Sequence, residues 1–109
     1  MTKIKTSVRR PPHPALVVAI ADAHAAADAA ARIASDCAQW AQQAQCGYED
    51  AAEAMSAARR ARETAEQAER CTTAPHAWSY SRLAWAAVTS AQEASQRVNA
   101  TIAEALALV

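Results

Sequence analysis

Phenylalanine is absent from this chain, glycine occurs once, and aromatic residues of all kinds make up 5% of it. One glycine is too few for a phosphate-cradling loop, and neither GxSxG nor HExxH occurs, so no nucleophile elbow and no zinc-protease helix is present. The uninterrupted apolar runs fall short of the ~18 residues that suggest a membrane span. The run from Ala15 to Ala21 follows basic residues, as a signal peptide would, but it is too short and stops at Asp22. Three cysteines, an odd number with no CxxC spacing, argue against a disulfide framework or a zinc ribbon. Together these absences predict a cytoplasmic, non-catalytic protein that requires no cofactor and no membrane.

What the chain does have is alanine, 33 residues out of 109. Alanine has the best helix propensity and loses no side-chain entropy on folding. Its small size lets helix axes approach closely, so weak dispersion contacts accumulate. The resulting core is thin, with little room for a ligand cavity of ~300 Å³ or more.

The apolar positions recur at alternating steps of three and four, the periodicity of packed helices. A first helix is expected over 15–45, with a seam of Leu16, Ile20, Ala23, Ala27, Ala30, Ala34, Cys37, Ala41 and Ala44. Asp22, Asp28, Arg32, Ser35, Gln39 and Gln42 then fall on its opposite face, and Trp40, near the edge of the apolar stripe, reads as core. Pro14 suits the first helical position, where a missing N–H costs nothing. Gly47 stands where a left-handed helix cap is needed. A second helix is expected over 49–72 along Ala51, Ala54, Ala58, Ala61, Ala65 and Ala68, with Arg62–Glu66 and Glu66–Arg70 as i,i+4 pairs on its surface. After the break at Thr72 to Pro75, a third helix runs from about His76 to Leu106 along Tyr80, Ala84, Ala87, Ala91, Ala94, Val98, Thr101 or Ile102, and Ala105.

The expected fold is therefore all-α: three long alanine-rich helices in an up-down-up bundle formed by residues 15–109, preceded by a flexible, basic, proline-ended arm over residues 1–14. Larger side chains are expected to close the two ends. Leu16, Val17, Val18 and Ile20 would meet Tyr80, Leu83 and Trp85 at one end, and Trp40, Tyr48 and Met55 would meet Val98, Ile102 and Leu106 at the other. The alternative is a long helical hairpin that dimerises, with Gly47 inside one continuous helix, because the heptad phase passes through it unbroken.

Function points to surfaces. Trp78 and Trp85 lie one heptad apart, off the alanine seam, with Arg82, Gln92 and Gln96 beside them. Tryptophan and arginine together are the usual anchors of protein interfaces. This side is read either as a partner-binding surface or as a packing surface, internal or against a second copy, so a protein partner and a homodimer are both carried forward. Lys3, Lys5, Arg9 and Arg10 give the arm a positive charge, while the rest holds 7 basic and 11 acidic residues. Nucleic acid is thus not an expected partner except through the arm. Arg59, Arg60 and Arg62 lie among Glu53, Glu63 and Glu66 and read as a solvated, salt-bridged face. His13, His24, Cys71 and His76 belong near one end of the bundle and are zinc-ligand types. Their spacing matches no recognised motif, so a metal-binding protein is kept as a second alternative and no metal is assigned. Cys37 reads as core. The make-up suits inhibitor, immunity or adaptor proteins such as bacteria and phages carry, acting by occlusion or bridging.

Overall fold

The computed structural model describes residues 13–108 and contains three helices: α1 (Pro14–Ala44), α2 (Tyr48–Glu69) and α3 (Ala74–Ala107). No strand occurs among the described residues. Pro14 opens α1 as expected, and His13 caps it, its Nδ1 accepting a 3.0 Å hydrogen bond from the Ala15 N–H. α2 stops three residues before its expected end at Thr72. Arg70 turns back onto the carbonyls of Gln67 and Ala68, and extended Thr73 then starts α3 with Pro75 in the first turn.

The link between α1 and α2 corrects the assignment of the cap. Gln45, not Gly47, is the left-handed residue that ends α1 (φ 57°), and Gly47 is left-handed in turn (φ 78°) immediately before α2. Reversing the chain within three residues takes both. No helix continues through two left-handed residues, so the hairpin with Gly47 inside one helix is overturned. A Cβ on Gly47 would meet Val98 Cγ1 at 3.5 Å, an ordinary contact, so the cost of adding one lies in the dihedral alone. Gly47→Ala is expected to lower stability by ~1 kcal/mol, read as a drop of several degrees in the thermal unfolding midpoint.

Each helix packs on the other two. Of the 22 buried apolar residues among those described, 18 are alanine, and the exceptions are Leu16, Cys37, Val88 and Val98. The start of α1, the end of α2 and the start of α3 meet in a cluster of Leu16, Ala19 and Ala77, flanked by Ile20, Cys71, Ala74 and Trp78. The opposite end is built from Cys37, Ala41, Ala51, Ala54, Ala94 and Val98, with Ala34, and Ile102 rests against it. This is the up-down-up arrangement.

The larger side chains mostly do not close the ends. Val17, Val18, Tyr48, Met55, Leu83 and Leu106 are exposed, and Trp40, expected in the core, is 38% exposed. Alanine-to-alanine contacts draw the axes too close to admit a bulky side chain between them, so bulk is displaced to the rim. Ala44 is exposed as well, one residue before the chain turns away. The expected surface pairs Arg62–Glu66 and Glu66–Arg70 do not form; the ion pairs among the described residues join helices, His24 to Glu69 and Arg97 to Asp50 and Glu53. An i,i+4 pair in water is worth only a few tenths of a kcal/mol and need not persist. By length and composition α1 also qualifies as a membrane-crossing helix, since a window can tolerate Asp22 and Asp28 where an unbroken run cannot; here its alanine seam packs on α2 and α3.

Candidate functional site

α1 and α3 run parallel, and the edge between them holds most of the features that packing alone does not explain. Asp22 was assigned to the solvent face, yet it points at α3. One of its oxygens, Oδ2, accepts from the Ser81 hydroxyl at 2.5 Å and from the Trp85 indole N–H at 2.9 Å. Ser81 is the single buried polar residue among those described, 1% exposed, and Asp22 supplies the partner its hydroxyl needs. Trp85 remains 39% exposed, so its ring is aimed by a fixed hydrogen bond while much of its surface faces outward.

Trp78 is half-buried against the Leu16–Ala19–Ala77 cluster. Arg82 lies between the two tryptophans in sequence, exposed and in no ion pair among the described residues. Gln92 is seven residues beyond Trp85 and carries the same edge along α3; Gln96 is also exposed. Trp40 follows Asp22 by 18 residues, five turns at about 3.6 residues per turn, and so shares its side of α1. Thus the structure divides the paired tryptophans, Trp78 anchoring the end cluster and Trp85 presenting its ring.

Two residues in this region were missed by pattern. Ser81 belongs to the seam Ala77, Ser81, Ala84, Val88, Ala91, which also keeps the three-four alternation. Asp22 carried its own signal, a lone acid within an otherwise apolar stretch. A third missed residue, Arg97, bridges α3 to α2 through Asp50 (2.9 Å) and Glu53 (2.6 Å). The Asp50 bond raises the Arg97 pKa above its ordinary value, with the Glu53 charge adding and partial desolvation opposing.

The four metal-ligand candidates are not gathered. His13 caps α1, His24 pairs with Glu69, and the Cys71 thiol donates to the Gln67 carbonyl at 3.5 Å. His76 meets Thr73 at 3.2 Å, and it shares with Cys71 a cleft of about 320 Å³ at the α2–α3 link. Among the described residues no three metal-ligand side chains stand together. Cys37 is fully buried, and all three cysteines are free. Lys3, Lys5, Arg9 and Arg10 lie outside the described residues. A second surface feature lies outside the core: an open groove of about 800 Å³ runs between α1 and α2, floored by alanine and walled by Arg59, Arg62, Glu66 and Glu69. It exists because methyl side chains on both helices leave the channel beside their contact unfilled.

No protein-family model, curated protein or solved structure matches the chain.

Proposed function

We propose that this chain is a non-catalytic, cytoplasmic helical protein that binds a protein partner along the α1/α3 edge and acts by occluding or bridging it, as inhibitor, immunity-type or adaptor proteins do. The observation that carries this reading is the placement of bulk. The core is alanine, while at this edge the rings of Trp85 and Trp40 are 39% and 38% exposed. Exposed apolar surface of this kind, edged with arginine and glutamine, favours association. The Asp22 bond adds preorganisation: a ring already held in one orientation loses less entropy on binding.

Affinity capture from the native host identifies the partner, and titration with the purified partner then tests the site. Trp85→Ala and Arg82→Glu are each expected to raise Kd at least ~10-fold, the scale of an interface anchor, with helical circular dichroism retained. Trp78→Ala is expected to lower the melting temperature as well, because that ring also packs inside. Unchanged affinity in both Trp85→Ala and Arg82→Glu removes the α1/α3 edge as the binding surface.

A further inference from the structure

The α1/α2 groove lies on a different face from the tryptophan edge, and its charges are ordered. Down α2, at steps of four and three, the groove wall reads Met55, Arg59, Arg62, Glu66, Glu69: two bases, then two acids. Arg59, Arg62 and Glu66 form no ion pair among the described residues, and Glu69 reaches only His24. The floor is Ala27, Ala31, Ala34 and Ala58, with no large side chain rising from it.

A row that changes sign at its midpoint is complementary to its own reverse. We propose that this face is the seam of an antiparallel homodimer, α2 lying against the partner's α2 and α1 against the partner's α1. A two-fold axis in the plane of the face, perpendicular to the helices at the level of Thr64, puts Arg59 opposite the partner's Glu69 and Arg62 opposite the partner's Glu66. Both pairs are centred on that one level, so a single axis satisfies them together, and the isologous contact makes each pair twice.

α1 independently fits the same axis. The His24–Glu69 pair sets the register of the two helices and brings position 29 of α1 level with Thr64. The axis then sets Ala27 opposite the partner's Ala31, small on small, which permits close approach. Asp28 comes within about 3 Å along the axis of the partner's Arg32, two residues at ~1.5 Å each. The available area is also adequate. Centred on position 29, α1 overlaps its copy along all 31 residues, about 47 Å, while α2, centred on Thr64, overlaps its copy from 59 to 69, about 16 Å; each seam is one helix diameter wide, about 10 Å. That is roughly 650 Å² per protomer, or ~1,300 Å² in all, within the range of stable interfaces. The dimer leaves both α1/α3 edges uncovered, so it would present two copies of Trp85.

Sedimentation velocity on the full chain tests this with paired charge reversals. Wild type is expected to dimerise. Arg59→Glu/Arg62→Glu makes the row wholly acidic, and Glu66→Arg/Glu69→Arg makes it wholly basic. Each variant alone is expected to lose dimer affinity by about 100-fold or more, since every attractive pair becomes repulsive. An equimolar mixture of the two is expected to recover a 1:1 heterodimer, because all four contacts are again of opposite sign. Circular dichroism verifies that both variants fold, and the milder Arg59→Gln/Arg62→Gln is expected to weaken the dimer without reversing any charge. A wild type that stays monomeric at every concentration overturns the proposal, as do reversed variants that dimerise like wild type or a mixture that fails to associate. A dimer that dissociates in Trp85→Ala but survives charge reversal places the seam at the tryptophan edge and overturns it too.

Discussion

Ala61→Leu is expected to destabilise the protein by ~2–3 kcal/mol, lowering the melting temperature by roughly 10–20 °C. Ala61 is fully buried in the central cluster with Ala65, Ala68, Ala84 and Ala87. Leucine would ordinarily be the stronger core residue, because burying it contributes more than burying a methyl. Here there is no volume to receive it. Three extra carbons between axes set by alanine contacts force the helices apart, and the close contacts along the seam are lost with them. Ala61→Gly, which keeps the spacing but removes a buried methyl, is expected to cost ~1.5–2 kcal/mol, about half from helix propensity and half from the lost methyl. Ala52→Leu, exposed on the same helix, should stay within about 0.5 kcal/mol of wild type. Thermal and urea unfolding followed by circular dichroism reads all three. An Ala61→Leu protein as stable as wild type would mean that the helices stand further apart than the structure places them.

Asp22→Ala is expected to cost ~1–3 kcal/mol, the range for leaving a buried polar group without its partner. Its carboxylate is the acceptor for both the buried Ser81 hydroxyl and the Trp85 indole. A double-mutant cycle isolates the effect. With Ser81→Ala already in place no hydroxyl is stranded, so the two substitutions together should cost less than their separate effects added, by ~0.5–3 kcal/mol. Trp85 also loses its tether, so partner affinity should fall in Asp22→Ala even where the protein is fully folded. Additive, small effects in the cycle would mean that no such polar node joins α1 to α3.

The helices themselves were readable to within one to three residues at each end, because capping and breaking chemistry is local: Pro14, Pro75 and the turn around Gly47 act on the backbone where they stand. Within that turn the left-handed cap fell on Gln45, since the number of residues needed to reverse direction depends on where α2 must go. The seams were partly readable. Ala58 is only half-buried, whereas Ala57, Ala19, Ala26, Ala77, Ser81 and Val88 are buried without having been assigned. A helix touching two neighbours buries two adjoining stripes, and a single three-four row describes only one of them.

The candidate site was less legible. Trp78, Trp85 and Arg82 were singled out by residue type and heptad spacing, which place them on one side of α3. Nothing in that spacing separates the ring that packs inside from the ring that faces outward. Asp22 was read as a surface residue because polarity along one helix is judged against that helix alone; its two donors come from 59 and 63 residues further along the chain.

Composition and period alone determined that this protein is helical, in three segments, with methyl rows turned inward, because propensity and periodicity belong to each segment by itself. Only the packed bundle decided how closely the axes approach. That distance expelled the bulky residues to the rim, joined Asp22 to Ser81 and Trp85, and left the charged groove open between α1 and α2, since each of these depends on the separation of side chains carried by different helices.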